Sequence, residues 1–280
     1  MFSLGVLSWK AHKTLRKTLE TYADLVPLVD ECVIFFNEFS EADRAIAAEF
    51  GFRAEGAPEN LGIMGGMSAL LDALRGETVL MLQNDCPVCV APHLIKRRLA
   101  EARQAVEQHR CRFVQLHERL SDNPAGNYKF LRFWPGDNES DTWERRLRRW
   151  ARPLHARQVK GRAIWSLRAP EVAFPEVFHR EGDLIFTTSR YVNFSEQPFV
   201  ARHDDLRALF NWCMAHRESK HTFWQGQTSY EIILNSAAWR RAEYPLGISD
   251  GIFAHARWDD SFRTSHAYYN PELKSIPGAQ

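Results

Sequence analysis

The sequence predicts an α/β fold: a mostly parallel sheet flanked by helices, followed by a mixed α+β half. Three observations predict it. Residues 2–7 read as a strand, and the apolar runs at residues 32–36 and 78–82 are too short for helices and lack polar alternation, the pattern of strands buried on both faces. Segments with helical apolar spacing lie between them, which implies parallel strands joined by crossovers. The last two runs stop abruptly on polar residues, at the strand ends where open sheets of this class place their ligands.

Taken in order, residues 2–7 form a first strand, and Leu15, Leu19 and Tyr22 mark the inner face of a helix. The run at 32–36 (CVIFF) exits on Asn37 and Glu38. Ser40 then caps a helix with Asp43 three residues on, Ile46 and Phe50 inside and Gly51 as its stop. Residues 52–55 form a short strand. After the loop APENLGIMGG, Met67, Leu70, Leu71 and Leu74 mark a helix closed by Gly76. The strand at 78–82 delivers Gln83, Asn84 and Asp85. Pro92 starts a helix with Ile95, Leu99, Ala102 and Val106 inside, and residues 111–116 form another strand. Right-handed crossovers bring the exits of strands one, two and four to one edge.

The character changes near residue 117, giving a first half at 1–117 and a second at 118–280, packed as one continuous unit. In the second half residues 183–188 read as a strand. YVNFSEQPFV reads as loop or edge strand, because Pro198 blocks a central ladder position. Asp204 or Asp205 caps a helix with Leu206, Leu209, Phe210 and Cys213 inside. TSYE opens another helix, and the tail after Asp260 is loop-like.

Thirty-six basic against 35 acidic residues leave a net charge of +1, so no global field favours nucleic acid or a membrane. Local basicity is another matter. The segment 145–162 carries eight cations interleaved with Trp143, Trp150 and Trp165, enough to attract phosphates or an anionic bilayer, or else to form a solvated helix face. No nucleic-acid-binding motif accompanies it. No apolar stretch approaches the ~18 residues of a membrane span, and five cysteines, an odd number, argue against a disulfide framework. The expected location is the cytoplasm, with the inner membrane surface within reach of the basic segment.

The order βα, then CVIFFNEFSEADRAIAAEFGF, then PENLGI, then a helix, then VLMLQND resembles the nucleotide-sugar half of GT-A glycosyltransferases, especially family 2-like members. The resemblance implies a GT-A-like, Rossmann-type sheet and a nucleotide-diphosphate sugar donor. It also implies a nucleoside pocket lined by Ser8, Trp9, Asn37, Glu38, Asn60, Gln83 and Asn84, and a divalent Mn or Mg ion held by Asp85. Two positions depart from the pattern. Asn37 stands where the family commonly has Asp, and Gln83 stands where the first acid of Asp-x-Asp belongs. Further on, SYEIILNSAAW and PLGISDGIFAHARWD are similar to stretches that make Glu231 the base for the acceptor hydroxyl and His255 a metal ligand. NFSEQPF, with Asn193, Gln197 and Pro198, is similar to an acceptor-side stretch. The implied acceptor is a glycan or a lipid-linked hydroxyl.

Other readings of the same residues are open. Polar strand exits are also ordinary turn formers. Thr228 to Glu231 is a capping box, His255 on an apolar strand with Ile252, Phe253 and Ala254 reads as a core histidine, and Cys86-Pro-Val-Cys89 is a candidate thiol redox motif. A silent nucleotide-sugar binder would also keep the pocket without the chemistry.

Overall fold

The computed structural model of the chain describes residues 1–120, 124–216 and 229–258. Strands and helices alternate through the first half: β1 (Phe2–Ser8), α1 (His12–Glu20), β2 (Glu31–Asn37), α2 (Glu41–Glu49), β3 (Arg53–Ala57), α3 (Gly62–Ala73), β4 (Thr78–Gln83), α4 (Pro92–Glu107) and β5 (Phe113–His117). A helical stretch follows, with α5 (Pro124–Leu131), α6 (Trp143–Ala151), α7 (Pro153–Val159) and α8 (Pro170–Ala173). The chain then adds β6 (His179–Glu181), β7 (Leu184–Thr188), β8 (Phe199–Arg202), α9 (His203–Ala215), α10 (Tyr230–Leu234), α11 (Ala237–Ala242) and β9 (Pro245–Phe253).

The nine strands form one sheet in the order β3-β2-β1-β4-β8-β5-β9-β7-β6. Strands β1 to β4 are parallel, β5 and β9 are parallel, and β8 runs antiparallel between β4 and β5. The α/β class with a mostly parallel sheet is as the apolar runs predict. From β1 the chain builds outward through β2 and β3, then returns to lay β4 on the other side of β1. That reversal leaves a crevice at the carboxyl ends of β1 and β4, the usual ligand position of such sheets.

Both faces are covered, which explains the unbroken apolar runs. Val33, Phe35, Val79 and Met81 face α3 and α9, whereas Ile34, Phe36, Leu80 and Leu82 face Leu15 and Leu19 of α1, Ile46 of α2 and Ile95 and Leu99 of α4. Each such side chain contributes about 1.5–3 kcal/mol by leaving water. Ser40 caps α2 as expected, in a full capping box with Asp43, and Gly51 ends the turn with φ +74°.

Two expectations change. YVNFSEQPFV does not end on an edge strand: Phe199–Arg202 is central, paired on both sides. Pro198 is compatible with this because it stands just before the strand, where it offers only its carbonyl, accepting the Leu116 N–H at 2.7 Å. His255 is not on a strand, since β9 ends at Phe253. The tail after Asp260 and Thr228 of the expected capping box lie outside the described residues.

Candidate active site

At the β1/β4 switch point lies a cavity of about 350 Å³, a size suited to a small-molecule ligand. Ser8 and Trp9 reach it from the end of β1, Asn37 from β2, Asn60 from the loop before α3, and Gln83 and Asn84 from β4. Glu231 of α10 and His255 beyond β9 complete the expected lining. Glu38 and Asp85, expected in the site, are not part of the lining but bind residues that are, Glu38 to Trp9 and Lys10 and Asp85 to His255 and Arg257.

Close packing sets the amide belt. A Cβ on Gly66 would meet the Leu7 side chain at 2.7 Å and the Asn37 amide at 3.0 Å, so glycine lets α3 lie directly against β1 and β2. The Asn37 amide then donates to the Gly62 carbonyl at 3.2 Å, and its oxygen accepts the Leu61 N–H at 3.3 Å. Only an amide does both; a carboxylate could not donate to that carbonyl. The departure from Asp at this position therefore has a local cause. Asn60 accepts the Gly62 N–H at 2.8 Å, and Asn84 donates to the Ser8 hydroxyl at 3.3 Å.

Two rim residues hold left-handed backbone, Lys10 at φ 48° and Glu38 at φ 57°. Such conformations cost non-glycine residues of order 1 kcal/mol. Glu38 offsets this by pairing with Lys10 and accepting the Trp9 indole N–H at 3.0 Å, which pins the Trp9 ring at the cavity wall.

Asp85 is 1% exposed. Its Oδ2 accepts from His255 Nε2 at 3.0 Å and from the Arg257 guanidinium at 2.7 and 2.6 Å. Burial alone would raise its pKa, but the charges of His255 and Arg257 and their hydrogen bonds hold the carboxyl well below the usual range. The backbone is strapped as well, because Ala256 donates to the Asp85 carbonyl, Ala254 to that of Pro87, and Cys89 to that of Ile252, each at 2.9 Å.

That strap assigns Cys86 and Cys89 a packing role. A redox thiol needs a depressed pKa. Here burial and then the Asp85 charge push the Cys86 thiol well up, and burial pushes Cys89 up to about 11. The nearest helix begins only at Pro92, so no helix N-terminus stands at Cys86. Burial of Cys86, 1% exposed, and the distance of that helix start speak against the thiol redox expectation.

On the other side, the Glu231 carboxylate reaches outside its own helix. Its Oε1 accepts the Ser195 hydroxyl at 2.9 Å and the Glu196 N–H at 2.8 Å. Glu196, also in the lining, accepts the Tyr230 N–H at 2.5 Å. Burial and then the Glu231 charge push the Glu196 carboxyl up to about 8, so it is protonated at neutral pH. Gln83 donates to the Glu196 carbonyl at 3.4 Å. A carboxylate at position 83 would face that carbonyl with no proton to give.

Lys10, Glu196 and Arg257 were not among the expected site residues. Glu196 lay within the quoted NFSEQPF stretch and Arg257 two residues past His255, so proximity to matched positions was the available signal. Together the lining holds three basic groups (Lys10, His255, Arg257), two carboxyl groups (Glu196, Glu231) and five amides (Asn37, Asn60, Gln83, Asn84, Gln197). The basic groups can take up anionic oxygens, the amides can read a polar ring, and an ionised Glu231 can accept a proton.

Asp85 and His255 offer a carboxylate oxygen and an imidazole nitrogen, donors suited to a divalent ion of the Mn or Mg type. Arg257 binds the same oxygen, and no group of three such side chains stands together among the described residues. Two side chains of a suitable kind therefore stand together here.

A second cavity, of about 320 Å³, is lined by Phe113, Leu206, Trp212, Trp239 and Tyr244, with Arg112 and Asp205 its charged residues. It reaches the start of β5 and the end of antiparallel β8, which is the amino edge of the parallel strands and remote from the switch point.

No family model matches the chain, and no curated protein does. Among solved structures, it is similar to glucosyl-3-phosphoglycerate synthase from Mycobacterium tuberculosis in complex with Mn2+, UDP and glucosyl-3-phosphoglycerate, at 14% identity and TM-score 0.47, over 93% of this chain and 74% of that one. It is similar to the mannosyltransferase PcManGT from Pyrobaculum calidifontis in complex with GDP-Man and Mn2+, at 10% identity and TM-score 0.49, over 91% of this chain and 56% of that one. A nucleotidyl transferase from Methanothermobacter thermautotroptrophicus is also similar, at 12% identity and TM-score 0.44, over 92% and 88%.

Proposed function

We propose that the chain is a glycosyltransferase that moves a sugar from a nucleotide-diphosphate donor to an acceptor hydroxyl, with inversion, in the synthesis of a cell-surface glycan or lipopolysaccharide. The observation that carries this reading is the convergence of Ser8, Trp9, Asn37, Asn60, Gln83, Asn84, Glu231 and His255 on one cavity at the switch point. Charge supports it too. Lys10, His255 and Arg257 suit a diphosphate, and Glu231 suits a hydroxyl that must lose its proton.

In this mechanism the amides of Asn37, Asn60, Gln83 and Asn84, with Ser8 and the Trp9 ring, position the nucleoside. The acceptor oxygen attacks the anomeric carbon as its proton passes to Glu231. The bond from that carbon to the diphosphate breaks, and the nucleoside diphosphate leaves against Lys10 and Arg257. Ser195 and the Glu196 N–H fix Glu231 through Oε1, which keeps its carboxylate aimed. Asp85 and His255 would hold a Mn or Mg ion, whose chemistry is to neutralise the leaving diphosphate. The acceptor is a glycan or lipid-linked hydroxyl, which the Arg-rich segment 145–162 would approach from a membrane surface. No helix among the described residues is long and apolar enough to cross a membrane.

Calorimetry with a panel of nucleotide sugars, with and without Mn2+, tests the reading; failure to bind any donor rejects it. A silent nucleotide-sugar binder is the second reading, favoured by the pairing of Arg257 with Asp85 and by the neutral Gln83, which supply charge balance without need of turnover. Donor hydrolysis or transfer by the wild type separates the two.

A further inference from the structure

Helix α6 is built inside out. None of its residues is buried, and it is held to the body by arginines. Arg145 donates to the Leu131 carbonyl at 2.9 Å and to Glu139 at 2.6 Å. Arg149, one turn on, donates to the Phe133 carbonyl at 2.6 Å and to Asp141 at 2.9 and 2.5 Å, and its guanidinium lies 4.5 Å from the centre of the Trp134 ring. Thr142 caps the helix by accepting the Arg145 N–H at 3.4 Å.

The opposite stripe is apolar. Trp143, Leu147 and Trp150 follow the i, i+4, i+7 spacing of one helical face and are 69, 51 and 80% exposed, and Leu154 at the start of α7 is 84% exposed. A helix stabilised by folding alone puts such residues inward. Around them Arg146, Arg148, Arg152 and Arg157 are exposed. Residues 143–157 hold six arginines against one acid, Glu144, in a chain whose net charge is only +1.

Two tryptophans and two leucines ringed by arginine match an interfacial helix, whose aromatic rings sit at headgroup level and whose cations meet anionic lipid. A second copy of the chain fits poorly, since a two-fold contact would set these arginines against their own copies. A nucleic acid offers the tryptophans stacking partners but gives Leu147 and Leu154 nothing apolar to enter.

We propose that the α6 face, continued by Leu154, seats the protein peripherally on an anionic lipid bilayer. Trp143 and Trp150 lie at the headgroup boundary, Leu147 and Leu154 enter the acyl edge, and Arg146, Arg148, Arg152 and Arg157 contact the headgroups. This builds on the lipid-linked acceptor above, yet lipid binding is read without sugar transfer, so each can fail alone.

The test is co-sedimentation of the full chain with sucrose-loaded vesicles of phosphatidylcholine, alone or containing about one third phosphatidylglycerol. Binding is expected only with phosphatidylglycerol and weakens with added salt. The double variant Trp143→Ser/Trp150→Ser should partition at least tenfold more weakly. Arg152→Ser/Arg157→Ser should lose about fivefold per cation removed. All four positions are exposed, so melting temperatures should match the wild type and separate lost binding from lost folding. Equal partition onto phosphatidylcholine alone, or undiminished partition of the tryptophan variant, overturns the assignment. A solution dimer that the tryptophan variant dissolves also overturns it, in favour of a face between copies.

Discussion

Glu196 and Glu231 tie their two segments together: the Glu196 carboxyl group accepts the N–H of Tyr230, next to Glu231, at 2.5 Å, and the Glu231 carboxylate accepts the N–H of Glu196 at 2.8 Å. The reciprocal pairing brings two carboxyl groups together in a site where both cannot ionise cheaply. Glu196 is only 4% exposed, and burial followed by the neighbouring charge pushes its carboxyl up to about 8.

Stability should therefore depend on pH through Glu196. Its folded pKa of about 8 lies above the ordinary carboxylate value of 4.5, so the folded state binds the proton more tightly. The contribution is full below about 4.5 and is lost as pH rises to about 8, at up to about 1.4 kcal/mol per pH unit. Thermal unfolding between pH 5 and 9 should show this slope in the wild type and a flatter one in Glu196→Gln, whose amide oxygen can still accept the Tyr230 N–H. Equal slopes would count against a protonated Glu196.

Glu231→Gln keeps an acceptor for Ser195 and Glu196 but cannot take a proton. Turnover should fall by about 10²- to 10⁴-fold while donor affinity measured by calorimetry stays within about twofold. Unchanged turnover removes Glu231 as the base.

Arg257→Met would release the Asp85 oxygen that it shares with His255. Mn2+ affinity of the nucleotide-bound protein should rise about tenfold, and affinity for the nucleotide without metal should fall by a similar factor, as one positive charge is exchanged for another. Titration calorimetry reads both; metal affinity that does not change would show that Arg257 and the ion do not compete.

Asn37→Asp restores the acid common in the resembling family and should destabilise this chain. The N–H to Gly62 is lost and a carboxylate is set against that carbonyl, costing about 1–3 kcal/mol, or a melting temperature lower by roughly 2–10 °C. Differential scanning calorimetry decides it, and a variant as stable as the wild type would show that the amide donor contributes nothing.

The first half was legible because its strands are buried on both faces and so are written as continuous apolar runs, while its helices carry local caps such as Ser40 with Asp43. The polar strand exits were legible for the same reason: Asn37, Gln83 and Asn84 follow directly on those runs. Phe199–Arg202 was not, since four residues after a proline carry little pattern, and its central place comes from partners far off in sequence. Arg257 and Glu196 were hidden for a related cause. Neither has a spacing of its own, and each acquires its position from a long-range bond, to Asp85 or to Tyr230.

The antiparallel strand β8 has a consequence for how the chain is made. Its neighbours β4 and β5 leave the ribosome first, but the strand that joins them follows some eighty residues behind β5. At ordinary synthesis rates this is a wait of roughly 4–16 s during which two apolar strands have bare edges. A nascent chain stalled near residue 117 should therefore recruit chaperones or aggregate, and release into solubility should come only once residues 199–202 are out. The timetable of translation, rather than the finished fold, is where this protein is most exposed.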